Sequence, residues 1–305
     1  MSEIQAMLGK IRARRREHDG ALREISEEQM GIETNFTFEQ MITRRPGELT
    51  GADIRWIFLR RFDHMEEHAI QIEDHLETRF GRTRTQAQRY WTANEVARGD
   101  LYAALMGLTD DDLDVAPEQP AGEWPLRTTL EHLVNVERSY CANCLWAVEK
   151  FRAGETFEPM PRDDPETYAD ATLADFIEML DSARTGSAQT LSDLPDEELR
   201  APTVWMGMDC DLRFRLMRFA QHEREHTAQV RKWRVQTNKP FTDADRLMGM
   251  CWQGSGRLEG ILAGAPDDVL DRDPGDGDWT VREILDHIAS AEGYFKKVID
   301  DALAR

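Results

Sequence analysis

The chain has 305 residues, with 38 Lys and Arg against 58 Asp and Glu, a formal charge of −20. Such a charge repels phosphate backbones and argues against nucleic acid as a partner, and no uncharged apolar run approaches the ~18 to 20 residues that cross a bilayer. With 40% apolar residues the chain can build real cores, so wholesale disorder is excluded, and its length predicts about two domains.

Helical spacing dominates in chain order. From Asp53 to Leu76, residues Ile54, Ile57, Phe58, Phe62, Met65, Ala69, Ile72 and Leu76 recur at steps of three and four, the stripe of a long amphipathic helix. Arg127 to Val148, Leu212 to Trp233 and Val281 to Ile299 are further predicted helices. Pro and Gly fall mostly between such segments, as in Gly154 to Pro165 and Ala265 to Gly277. Strand alternation is almost absent. The expected fold class is all-α, with about eight long helices.

Internal repeats organise these helices. GEWPLRTTLEHLVNVE (Gly122 to Glu137) and GDWTVREILDHIASAE (Gly277 to Glu292) share Gly, Trp, Arg, Leu, His and Glu at an offset of 155. Trp and His each occur only eight times in the chain, so chance is a poor explanation. Upstream, Leu105 to Asp114 matches Leu262 to Asp271 at an offset of 157. A second repeat pairs LRRFDHMEEHAIQI (Leu59 to Ile72) with MRFAQHEREHTAQV (Met217 to Val230) at an offset of 158, where an Arg, two His, a Glu and a Gln coincide. The chain thus runs back half, front half, back half, front half. One unit is complete over residues 88–238, and a composite unit would combine 1–87 with 239–305. Each half alone would expose an apolar face. Closure within the chain is the favoured arrangement, a swapped homodimer the alternative. Gly81 to Gln88 and Gln236 to Thr242 read as linkers.

His64 and His68, like His222 and His226, are four residues apart. Both imidazoles of such a pair leave one helix face one turn apart, as needed to reach one metal ion. The front helices add His132 and His287. Three neutral imidazoles with an open fourth position suit Zn²⁺, with Ni²⁺ or Fe²⁺ also admissible. Six of the eight His occupy repeat positions; His18 and His75 do not. His222-Glu223-Arg224-Glu225-His226 also fits the metalloprotease pattern His-Glu-x-x-His. Against that, Glu223 is matched by Met65 in the other copy, while the shared Glu is Glu67/Glu225. Glu137 and Glu292 lie five residues past the front His, about 140° around the helix, which argues against ligation of the same ion. Cys141-Ala142-Asn143-Cys144 has redox spacing without a βαβ context and reads as helix packing. Trp124 and Trp279 read as structural plugs ahead of their helices. Gly254-Ser255-Gly256 lacks the length and the Lys of a phosphate loop.

A Trp-preceded helix bearing one His, followed by a His-x-x-x-His helix, resembles the DinB-like, or damage-inducible, metalloprotein superfamily, which is distinct from the DNA polymerase of that name. The resemblance covers about residues 88–238. It implies a four-helix bundle with one long crossover and a divalent metal on His132, His222 and His226. Carried to the permuted copy, it implies a second metal, Zn or Ni, on His64, His68 and His287. It further implies thiol-dependent transferase or isomerase chemistry with a low-molecular-weight thiol.

The expected protein is therefore a metal-dependent enzyme, in the first place a thiol S-transferase acting on a small-molecule electrophile. The alternatives are a metal-dependent hydrolase and a non-catalytic metal-binding or stress-response module. Four Cys make no disulfide scaffold, and no apolar run follows the basic stretch near Arg12 to Arg16, so a cytoplasmic setting is expected, with neither membrane nor nucleic acid as partner.

Overall fold

A computed structural model of the protein describes residues 2–36, 52–118, 123–161 and 164–305. Eight α-helices account for most of these: α1 (Glu3–Leu22), α2 (Ile54–Asp74), α3 (Gln86–Leu105), α4 (Leu126–Arg152), α5 (Leu173–Leu191), α6 (Leu212–Gln236), α7 (Asp243–Leu262) and α8 (Val281–Leu303). The chain starts many of them with side-chain caps. Thr85 with Gln88, Thr172 with Asp175, Thr242 with Asp245 and Thr280 with Glu283 form capping boxes at α3, α5, α7 and α8. Each box satisfies amide groups that the first helical turn leaves without partners. The predicted helices persist with slightly longer ends, except that the Asp53 to Leu76 helix passes at its end into a π turn over His75–Arg79. A short antiparallel hairpin before α6, β1 (Pro202–Trp205) and β2 (Met208–Asp211), was not expected. Its four-residue strands are too short for alternation to register. Gly122 of the first repeat lies outside the described residues. No described helix is long and apolar enough to cross a membrane.

The helices close into two bundles. One apolar core draws on α3, α4, α5 and α6 through Trp91, Cys144, Leu191 and Leu216. Another draws on α1, α2, α7 and α8 through Ile11, Ile72, Leu258 and Ile288. The outer bundle is thus completed by the two ends of the same chain, with the loops 81–85 and 237–242 leading into and out of the inner one. The bundles are not separate bodies, because a third apolar cluster runs from Ile57 and Val298 to Leu101, Leu130 and Trp252.

Glycine permits this junction. A Cβ on Gly99 of α3 would stand 2.6 Å from the Trp252 carbonyl oxygen, and one on Gly256 of α7 only 2.5 Å from that of Glu95. Gly254-Ser255-Gly256 therefore lies in a helix at a backbone-to-backbone contact, not in a loop. Larger side chains would push α3 and α7 apart.

Candidate metal centres

The side chain of Asp211 accepts from the amide nitrogens of Arg213 and Phe214 and so starts α6. Three turns on, His222 and His226 leave the helix on the face towards α4. His132 meets them there: its Nε2 is 3.0 Å from Nε2 of His222, which is 3.1 Å from Nε2 of His226. In the outer bundle Nε2 of His64 is 2.8 Å from that of His287 and 3.2 Å from that of His68. All six sequence-derived candidates thus come together as two triads, with ligand atoms within 4.8 Å of one another in each. Bonds of about 2.05 Å to one tetrahedral ion would set such nitrogens roughly 3.3 Å apart.

The protonation chemistry fits a cation at each point. His226 directs Nδ1 at Oε1 of Gln229, 2.7 Å away, and His68 directs Nδ1 at Oε1 of Gln71, 2.9 Å away. An amide oxygen can only accept, so each Nδ1 carries the proton and each Nε2 keeps a lone pair for the centre. Burial, with the neighbouring rings of His226 and His132, pushes His222 down to about 3. Burial and the rings of His68 and His287 do the same to His64. Burial lowers His132, His226 and His287 as well. These rings are neutral at pH 7, the form a metal requires. A proton between two nitrogens would leave the third nitrogen unserved, whereas one ion serves all three.

The tryptophans are not plugs. Trp124 and Trp279 are 40% and 43% exposed, and each lies flat over a histidine of its triad. The Trp124 and His226 rings are 8° from parallel at 6.2 Å, and those of Trp279 and His68 are 20° from parallel at 6.0 Å. Each indole therefore walls its centre on the solvent side.

Beneath each triad lies a buried ionic network. Arg184 donates to Glu137 at 2.9 and 3.1 Å and to Glu223 at 2.8 Å, while Arg98 donates to Glu223 and, at 3.4 Å, to Glu137. One charged residue from each inner helix takes part. In the outer bundle Arg15 and Arg61 hold Glu292, and Arg61 also reaches Asp19 at 3.0 Å. The repeat made Glu137 and Glu292 visible; their arginine partners carried no signal, because the cations sit at unmatched positions. Glu223 is only 2% exposed and bound by two arginines, so it has no access to the triad as a protease base. Cys144 is fully buried, and that burial outweighs the nearby Arg215 and pushes its thiol up to about 12, consistent with packing and against redox chemistry. The leftover His75 pairs with Asp278 at 3.1 Å and joins neither centre.

Fold and site define a class: all-α proteins in which a four-helix bundle turns three imidazoles to one point. The family model of the DinB superfamily matches residues 93–230. That part of the chain, which includes His132, His222 and His226, belongs to the DinB superfamily; His64, His68 and His287 fall outside the match. The superfamily is generally metal-binding, which the two histidine clusters fit. No curated protein and no solved structure matches the chain.

Proposed function

We propose that His132, His222 and His226 hold one divalent transition metal, zinc or nickel, and that His64, His68 and His287 hold a second. We further infer that the outer bundle, 1–87 with 239–305, is a circularly permuted copy of the inner one, 88–238. The observation that carries the metal reading is the convergence of three Nε2 atoms whose outer rings are held in the ligand tautomer by Gln229 and Gln71. The offset of 158 between both His pairs and of 155 between His132 and His287 supports common descent of the two units.

The activity proposed is thiol S-transfer from a low-molecular-weight thiol to a small electrophile, in the cytoplasm, where four unpaired cysteines suit a reducing setting. A divalent ion at the triad supplies positive charge that favours thiolate over thiol. The chain's own part is to keep the imidazoles neutral, to orient them through the glutamines, and to shield one side with Trp124. Among the described residues each cluster consists of three His with no fourth His, Cys, Asp or Glu. That favours an open, reactive position over a closed structural site. The test is a screen of thiols with small electrophiles, with and without added metal, alongside elemental analysis. Metal-dependent conjugation supports the reading. Metal bound without conjugation or hydrolysis would leave the non-catalytic module, and absence of metal would remove the basis for both.

A further inference from the structure

Among the described residues eight arginines are buried, and seven of them have a carboxylate oxygen within 4.0 Å. Arg215 is the eighth. It is 5% exposed, its Nε has no partner, and no described carboxylate pairs with it. Its neighbours include the Tyr140 ring, 4.9 Å from the guanidinium carbon, and the thiols of Cys144 and Cys210. A buried cation without a counter-charge is unfavourable in a chain with abundant carboxylates.

Its position gives that charge a use. Arg215 precedes His222 by seven residues on α6, two turns along the same face. Tyr140 neighbours both, its ring centroid lying 5.6 Å from that of His222. The neighbouring cation, Arg218, is already neutralised by Glu225 through two bonds of 3.0 Å and lies 5.0 Å from the Trp205 ring of the hairpin. Arg215 is therefore the unspent positive charge beside the inner triad. The outer triad lacks it: at the repeat offsets, Ile57 and Phe295 stand where Arg215 and Tyr140 stand in the inner bundle.

We propose that the inner centre takes a ligand with a carboxylate, which Arg215 receives beside Tyr140 while the ligand's other end reaches the three histidines. This rests on the metal-and-thiol reading above and adds to it the charge of the ligand, together with a difference between the two centres. Bidentate binding of a carboxylate by a guanidinium supplies both strength and direction.

The test uses the full chain loaded with Co²⁺ in a His68→Ala background, titrated with 6-mercaptohexanoate or 6-mercaptohexanol and followed by thiolate-to-cobalt absorption. The two probes differ only in the terminal group. The carboxylate is expected to bind roughly tenfold tighter. Arg215→Gln should erase that difference and leave the affinity for 6-mercaptohexanol unchanged, and Arg215→Lys should restore part of it. Equal affinities in the parent protein would overturn the proposal, with no variant needed. So would equal weakening of both probes by Arg215→Gln, which would make Arg215 a packing residue. In a second arm, hexanoate should raise the melting temperature of metal-free protein, and Arg215→Gln should abolish the rise. Stabilisation by hexanoate without a cobalt–thiol band would keep the anion site and defeat the thiol reading; silence in both arms defeats both.

Discussion

Nδ1 of His226 lies 2.7 Å from Oε1 of Gln229, one turn further along the same helix. The glutamine is not one of the three histidines of the centre, yet it decides which ring nitrogen carries the proton. His68 and Gln71 repeat the arrangement at 2.9 Å, and there the amide nitrogen of Gln71 also donates to Asp278 at 2.8 Å.

Removing such a partner frees the ring to rotate and change tautomer. Gln229→Ala is expected to weaken metal binding at the inner centre by about 10–100-fold, and Gln71→Ala to do the same at the outer one. Chelator competition on each purified variant measures this. Unchanged affinity in both would mean that the glutamines do not orient the rings.

Because the triads use separate residues, their occupancies should fall separately. Metal analysis is expected to give up to two ions per chain, one fewer after His226→Ala and one fewer after His68→Ala. Simultaneous loss of both ions in either variant would show that the continuous core between the bundles couples the sites.

Glu292 gives a stability prediction with a defined sign. Burial alone would raise its carboxyl, but Arg15 and Arg61 outweigh burial and hold it at about 2. In the unfolded chain it titrates near 4.3. The native state therefore binds fewer protons, and this contribution is complete above the unfolded value and lost as pH falls towards 2. Glu292→Gln strands two buried guanidinium groups and should cost about 3–5 kcal/mol at pH 7. Urea unfolding at pH 7 and at pH 3 checks both points: the gap between parent and variant should narrow in acid.

The junction between bundles offers a steric test. A methyl group at Gly256 would meet the Glu95 carbonyl at 2.5 Å, a backbone atom that cannot swing aside. Gly256→Ala should destabilise by about 1–3 kcal/mol, although alanine favours helix by about 1 kcal/mol. Gly293→Ala on α8, where a Cβ meets nothing within 4 Å, is the control and should be neutral or stabilising.

Much of this site was legible before any coordinates. A helix repeats every 3.6 residues, so His222 and His226 had to share a face, and the offsets of 155 and 158 matched His132 with His287 and one His pair with the other. Other parts were not. Trp124 reads as a plug because a Trp before a helix carries no sign of which way its ring faces, yet the ring is 40% exposed and stacks on His226. Gln229 coincided with Gln71 in the repeat, but its role depends on a side-chain rotamer. Arg184, which ties Glu137 to Glu223, matches nothing at the repeat offsets and became visible only where the helices cross.

Local periodicity and internal repetition thus determined, from the chain alone, the helical class, the repetition of the two kinds of half and the six candidate histidines, because each is a relation along the backbone. Tertiary packing decided that the two ends close on each other within one chain, that Gly99 and Gly256 weld the bundles together, and that Arg215 is left without a counter-charge. Those are relations across space between residues far apart in sequence, set by which side chains meet when apolar faces are buried.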